Sequence, residues 1–476
     1  MKSSAAVPWL PDLERSGGPI YLSLADALGA AVASGSLKAG DRLPTHRALA
    51  SALDLDLTTV TRAYGEARRR GLVDAAAGRG TFVRQPPPGR DDDKPAVEVD
   101  LSMNLPPHPP SAAIAARLSQ TMAAILRRSD LPQLLSYHPS AGGLDDRSAA
   151  AEWLSPLIPG LSHARVLIAG GGQAALMSLL TTLVPHGGTV ITEALTYPGL
   201  RAAASQSGIA LTGLDMDAEG LLPDALDDAC TRLKPAALYT IPTIQNPTTA
   251  TMPPARRAAI AEVIRRHRLP VIEDDAYGML PGEASAPLAA LAPEHVWYVA
   301  TLSKCLFPAL RIAYVVAPDQ RRANRTQAAL RATVQMAPPL SAAVATRWIC
   351  SGTAHEIVEA VRREARARQA LARRLLPANA IDAHPEGHHV WLRLPPVWNA
   401  AAFTDRIRRS GLAVVPGSAF AVTPSGPDRQ GEPHRLGENA LRVSLGAARN
   451  LDALEGALTR IAAALNEDND TPPEIV

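Results

Sequence analysis

The sequence predicts an α/β protein in two unequal parts: a small helical unit ending in a two-stranded hairpin, then a large domain on a mainly parallel sheet. Three observations carry this. Apolar residues recur at helical spacing in three short segments before residue 71, and two short apolar runs follow them. Residues 84–100, RQPPPGRDDDKPAVEVD, join a proline run to an acidic run without apolar periodicity, as an extended linker does. Beyond Asp100, six apolar strand candidates, VLIAGG, TVITEA, AALYTIP, LPVIEDD, HVWYVAT and RIAYVVA, alternate with helical segments, the pattern of a parallel sheet covered on both faces. The boundaries fall at 15–84 for the small domain, 85–100 for the linker and 101–470 for the large domain, with a polar tail from 467.

Taking the elements in order, the first helix runs from Leu22 to Ala33 and ends near Gly35, after which KAGDRLP turns the chain. A second spans Thr45 to Leu53. After the DLD turn a third runs from Thr58 to Arg70, with Thr58 as its amino-terminal cap. GLVDAAAGRGTFVRQ then sets two short runs around a Gly-Arg-Gly turn, completing a winged helix. In such a unit the third helix enters the major groove, which makes Arg47, Thr58, Thr59 and Arg62 candidates for phosphate or base contacts. The competing reading is a protein-contact unit in which Arg68, Arg69 and Arg70 are a solvated face.

Composition bounds the alternatives. At roughly 150 residues per domain, 476 residues allow two to three domains, and 46% hydrophobic with 20% charged residues excludes wholesale disorder. The formal charge of +2 does not announce a nucleic-acid partner, yet it averages 11 basic and 8 acidic residues over 1–84 with 2 basic and 5 acidic over 85–100. Three separated cysteines, Cys230, Cys305 and Cys350, support neither a disulfide framework nor a metal site and fit a reducing cytoplasm. The first residues lack the apolar core of a secretory signal. The uncharged stretch from Val166 to Val184 holds three glycines, Gln173 and Ser178, and reads as strand, turn and helix rather than a membrane span. Arginine-containing, alanine-rich stretches at 321–346 and 358–376 read as solvated helices.

The segment from Tyr21 to Val83 resembles the GntR-type winged-helix domain, on the match to xGxLxxGxxLPxxRxLA and GxGTFV. That resemblance implies DNA-binding roles for Arg47, Thr59 and the wing glycine Gly80. Where the family commonly has Ser-Arg before the recognition helix, this chain has Asp56 and Leu57.

In the large domain, ligands of a parallel sheet bind at the strand ends, and each strand candidate is followed there by a polar or glycine cluster. In TLSKCLFPALR, a lysine just past a buried strand has a depressed pKa, which suits a nucleophile toward an aldehyde. Lys304 is that candidate; a surface loop lysine is the alternative. Thr301, Ser303 and Arg311 surround it with anion-binding groups. VIEDDAYG ends a strand on Asp274, three residues before Tyr277; Asp275 beside it reads as solvated. IPTIQNPTTATM places Asn246 before a proline. AGGGQAAL puts Gly171, Gly172 and Gln173 at a strand-to-helix turn suited to a phosphate, and ALTYPG offers Tyr197 as a stacking ring.

The order of these clusters resembles the fold type I pyridoxal-phosphate aminotransferases over most of residues 101–476, which implies a smaller carboxy-terminal subdomain as well. The resemblance implies that Lys304 carries pyridoxal 5'-phosphate, Asp274 pairs with its ring nitrogen, Asn246 and Tyr277 face its 3-oxygen and Tyr197 stacks on its ring. Gly171, Gly172, Gln173, Thr301, Ser303 and Arg311 hold the phosphate, and Arg442 binds a carboxylate of an amino compound. Tyr137 reaches a neighbouring subunit's cofactor, so a homodimer is implied. Ala309, Ala313 and Thr249 stand where the family usually has glycine.

A winged helix, linker and aminotransferase-like domain in this order resemble the MocR group of transcriptional regulators. The expected function is a cofactor-dependent regulator that binds double-stranded DNA and responds to an amino compound or to the cofactor, without membrane or metal. The alternatives are an aminotransferase carrying a DNA-binding module, and a DNA-binding dimer that has lost its cofactor.

Overall fold

The computed structural model describes residues 9–11, 19–33, 36–38, 40–76, 80–84, 97–138, 141–283, 285–422, 437 and 439–466. The expected helix end at Gly35, the first two residues of the wing turn, linker residues 85–96 and the tail from 467 lie outside them. The chain divides into two units between Lys94 and Pro95.

The amino-terminal unit contains α1 (Ile20–Ala33), α2 (His46–Leu53) and α3 (Leu57–Arg69), then the antiparallel pair β1 (Val73–Ala76) and β2 (Gly80–Val83). Leu24 and Leu28 recur at i,i+4 on α1, and Val60, Ala63, Tyr64 and Ala67 form one stripe on α3, so their burial together closes a small core with Leu49, Val73 and Val83. Each fully buried Leu or Val there contributes about 1.5–3 kcal/mol. The Tyr64 hydroxyl satisfies itself on the Pro44 carbonyl at 2.9 Å.

Two helix starts differ from expectation. Thr45 precedes α2 as its cap, accepting from the Ala48 amide, rather than opening the helix. Asp56, not Thr58, caps α3: its carboxylate accepts from both the Thr58 amide, at 2.7 Å, and the Thr58 hydroxyl. These bonds hold the Asp56 carboxyl below the usual carboxylate range. An ionised cap two residues upstream takes the hydroxyl that was assigned the capping role.

The large unit is built on seven strands: β3 (Val166–Ala169), β4 (Thr189–Glu193), β5 (Ala210–Leu214), β6 (Ala237–Thr240), β7 (Val271–Asp274), β8 (Val296–Thr301) and β9 (Ala313–Val316). Their order is β3-β9-β8-β7-β6-β4-β5, and all run parallel except β9, which is antiparallel to both neighbours. Alternate residues feed opposite faces. Leu167, Tyr239, Ile272, Val299 and Val315 enter one core, while Ile168, Leu238, Val271, Tyr298 and Val316 enter the other. The strand β5 was not expected. It is a half-exposed edge strand with a glycine at 213, where a Cβ would lie 2.5 Å from the Val422 carbonyl oxygen.

The stretch Val166–Val184 resolves into β3 and a helix over Gly172–Leu183, and among the described residues no helix is long and apolar enough to cross a membrane. A four-stranded antiparallel sheet, of Ile381–Ala383, His389–Arg393, Ala440–Ser444 and Val415–Pro416, forms the carboxy-terminal subdomain. The alanine-rich helices are less solvated than expected. Thr353–Leu375 buries Ile357, Val361 and Arg368, whose guanidinium donates to the carbonyls of Leu445 and Ala448 at 2.7 and 2.8 Å. The last residues of the expected linker belong to this unit, since Val99–Asp100 pairs in parallel with Leu412–Ala413.

The capping geometry makes a direct prediction. Asp56→Ala lowers the stability of the amino-terminal unit by removing the cap of α3. Amide NMR during denaturant titration checks it: α3 signals lose their native positions at lower denaturant while signals of the large unit do not move. Unchanged midpoints throughout would return the cap to Thr58.

Candidate functional site

Parallel strands deliver their carboxyl ends to one edge of the sheet, and that edge collects the candidate residues. Asp274 ends β7 and Thr301 ends β8; Gly171 and Gly172 follow β3, Tyr197 follows β4 and Asn246 follows β6. The antiparallel β9 supplies the exception that fits. Arg311 precedes its first residue, so the reversal brings an amino-terminal end to the same edge.

Lys304 sits at the centre. Burial lowers its pKa to about 8, with Arg442 adding to the fall and Asp274 opposing it, so about a tenth of the amine is neutral at pH 7. Its Nζ donates to the Asn104 carbonyl. Asp274 accepts from the Tyr239 hydroxyl at 2.6 Å, and burial raises its carboxyl to about 6, leaving it mostly ionised at neutral pH. Asp275 is buried, not solvated, and accepts from the Tyr298 hydroxyl at 2.8 Å. Tyr277 is buried, with its phenol pKa pushed up by burial.

Arg442 completes the centre from the carboxy-terminal sheet. Its Nη1 donates to Asn246 Oδ1 at 2.9 Å, its Nη2 to the Ser102 carbonyl, and its Cζ lies 4.9 Å from the Phe420 ring centroid. Its buried Nε has no hydrogen-bond partner among the described residues. Thr249 occupies the left-handed region at φ 66° and is buried.

An anion cradle lies beside this centre. Gly171 has φ 99°, and a Cβ there would meet Arg311 Nη2 at 2.6 Å; a Cβ on Gly172 would meet Thr301 Cγ2 at 2.9 Å. The missing side chains let Arg311 and Thr301 pack directly against this turn. The Thr301 hydroxyl accepts from the Ser303 amide at 3.2 Å, Arg311 is exposed, and the buried Gln173 Oε1 has no partner among the described residues while its Nε2 donates to the Gly199 carbonyl. The Tyr197 ring packs over Gly199, where a Cβ would lie 2.2 Å from Tyr197 Cε1.

The structure adds residues that sequence reasoning missed. Asn104 Nδ2 donates to the Tyr277 hydroxyl at 2.6 Å and lies 3.1 Å from His389 Nδ1, and His389 Nε2 faces the Gln245 carbonyl at 3.3 Å. Burial holds His389 neutral, so Nδ1 accepts and Nε2 donates. The neighbouring His388 donates to the Lys304 carbonyl at 2.7 Å, with burial taking its pKa down to about 3. The adjacent histidines in an apolar run, GHHVWLRL, were the available signal. Tyr137 stands apart: it is 83% exposed, and no hydrogen bond or ring contact among the described residues joins it to the cluster.

In the amino-terminal unit, Arg47 on α2 and Thr58 and Arg62 on α3 are exposed, and Thr59 on α3 is half-buried. The Arg62 guanidinium carbon lies 5.6 Å from the Tyr21 ring centroid. Gly80 opens β2 at φ 118°, with Arg42 Nε 3.1 Å from where its Cβ would be.

Comparison with known proteins agrees with both units. Residues 97–461 match the family of aminotransferases of class I and II, and residues 20–83 match the bacterial regulatory proteins of the gntR family. The HTH-type transcriptional regulator YdeF of Bacillus subtilis is 29% identical over 96% of this chain and 97% of its own. The vitamin B6 salvage pathway transcriptional repressor PtsJ of Salmonella typhimurium is 27% identical over 84% of this chain and 90% of its own. LysN, the α-aminoadipate aminotransferase of Thermus thermophilus, solved with N-(5'-phosphopyridoxyl)-L-leucine, superposes with a TM-score of 0.67 at 28% identity, over 77% of this chain and 92% of its own. The chain therefore belongs to the pyridoxal-phosphate-dependent aminotransferase class I and II family, and its amino-terminal GntR domain gives it the MocR arrangement.

Proposed function

We propose that this protein is a pyridoxal-phosphate-dependent, DNA-binding transcriptional regulator whose signal is an amino compound or the cofactor itself. The observation that carries the reading is one chain joining an exposed recognition helix to a buried lysine amine set among Asp274, Tyr277 and Arg442. The cofactor fits the residues present, because the glycine turn brings Arg311 and Thr301 close to its backbone, Gln173 Oε1 is unpartnered among the described residues and Lys304 has a low pKa. When bound, pyridoxal phosphate supplies an aldehyde that joins amines reversibly and a ring that draws electrons from them.

The chain's own residues divide the work. Lys304 would hold the aldehyde carbon; Gly171, Gly172, Gln173, Thr301, Ser303 and Arg311 would take the phosphate; Asp274 would serve the ring nitrogen with a carboxylate that favours a protonated ring. Tyr197 would supply a ring to stack on it. Tyr277 and Asn246 would serve the 3-oxygen, and Asn104 leaves Tyr277 a donor by occupying an acceptor position on its oxygen. Arg442 offers its free Nε and remaining protons to a carboxylate. Tyr137 of a second copy completes the site in a homodimer. Free thiols at Cys230, Cys305 and Cys350 suit the cytoplasm.

Regulation needs a ligand with different affinity for two states, and the site offers a physical difference. Lys304 and Arg442 now donate to the carbonyls of Asn104 and Ser102, in the segment that first enters the large unit after the linker. A cofactor at Lys304 and a carboxylate at Arg442 would draw on the same two cations that hold that segment. The placement of Lys304, Asp274 and Tyr277 also favours a second reading, an aminotransferase carrying the DNA-binding unit.

Purified protein with cofactor gives an absorbance band that Lys304→Ala abolishes, and its affinity for DNA upstream of its own gene changes at least about tenfold when cofactor or a candidate amino compound is added. No gel shift at low salt in any condition removes the regulator reading, whereas steady amino-group transfer to an oxo acid supports the enzyme. A pH series tests the lysine separately. Only the neutral amine reacts, so cofactor uptake followed by absorbance accelerates up to about pH 8 and then levels; continued acceleration toward pH 10 means the amine is not buried. Below about pH 6 protonation of Asp274 removes the charge facing the ring nitrogen, so affinity for the cofactor falls there, and falls much less in Asp274→Asn.

A further inference from the structure

We infer that Leu57 reads a thymine methyl group in the major groove, so that the operator carries an A·T pair opposite the start of α3. The inference rests on the DNA-binding reading above. Residues at the amino end of a recognition helix are those that reach base edges. At that position on α3 the chain presents Leu57, 41% exposed as the first residue of the helix.

Three polar neighbours are already engaged. The Thr58 hydroxyl donates to Asp56 Oδ1, and the Thr61 hydroxyl donates to the Leu57 carbonyl at 2.8 Å while His46 Nδ1 lies 3.3 Å from the Thr61 hydroxyl oxygen. Arg62 rests on the Tyr21 ring. With those donors committed, Leu57 is the apolar side chain exposed at the helix start, beside Thr58 and Thr61 and with Arg47 exposed on α2. Of the four bases only thymine offers a methyl group in the major groove.

Charge points the same way. The ionised Asp56 caps the helix, so the start of α3 is not free for a phosphate, and a carboxylate beside Leu57 opposes the two acceptor atoms that guanine presents. An apolar side chain next to an anion accepts thymine and disfavours guanine.

The test uses the full-length protein with its cofactor and DNA duplexes selected from a randomised pool by that protein. Each duplex is resynthesised with deoxyuridine in place of thymidine, which removes the methyl groups and leaves every hydrogen-bonding edge in place. Wild-type protein loses at least about fourfold in affinity on this replacement, the loss corresponding to one buried methyl group. Leu57→Ala binds the thymidine duplex more weakly and no longer distinguishes the two duplexes; Leu57→Gln, which keeps the side-chain length, behaves the same way. Equal binding of both duplexes by the wild type, or an undiminished uridine penalty in both variants, overturns the assignment while leaving DNA binding intact. Failure to select any duplex at low salt overturns the DNA-binding reading and the assignment with it.

Discussion

The large unit is organised around one buried amine. An ammonium withdrawn from water is costly, and the pKa of Lys304 falls to about 8 because the unit does not fully replace that hydration. What replaces it is one backbone carbonyl, of Asn104, and the nearby charge of Asp274. Holding both beside a lysine at the end of β8 requires β7 to lie next to β8 in the same direction and the segment after the linker to cross the strand ends. The reversed β9 then places Arg311 against the glycines that follow β3. Sheet topology and site chemistry are thus one constraint.

Much of this was legible because fully buried parallel strands read as short apolar runs, and their polar successors mark the strand ends. Lys304, Asp274 and Tyr277 each follow such a run within a few residues. What was missed lacked that local signal. Asn104 lies in a proline-rich segment with no periodicity, and its partners Tyr277 and His389 stand 173 and 285 residues away in the chain. The edge strand β5 was hidden because only one side of it is covered and Gly213 interrupts its apolar run. At α3 the cap was expected at Thr58, but Asp56 caps the helix two positions earlier and takes both the Thr58 amide and its hydroxyl, which helical spacing does not express.

Thr249 shows where local preference yields to the site. A β-branched residue in the left-handed region carries a conformational cost of about 1–3 kcal/mol. The turn survives with its Thr249 amide donating to the Gln245 carbonyl at 2.7 Å. Gln245 is itself fixed at both ends of its side chain, its Nε2 donating to the Leu195 carbonyl and its Oε1 accepting from Thr248. The fixed Gln245 carries the Asn246 amide next to it, which is where Arg442 finds its acceptor.

The two cations of the site do not have equal reach into the rest of the chain. Arg442 and Lys304 grip carbonyls two residues apart, at Ser102 and Asn104, and these follow directly on the short strand Val99–Asp100 that ties the end of the linker to Leu412–Ala413. A carboxylate would draw on Arg442 and an aldehyde on Lys304, whereas an amine reacts with the aldehyde and would leave Lys304 free. Aldehyde and carboxylate together would draw on both charge-assisted hydrogen bonds to one stretch of backbone. Each such bond contributes about 1.5–3 kcal/mol, so losing the pair weakens the segment far more than losing either one. The two cations therefore share one stretch of backbone, the one that leads from the linker into the site.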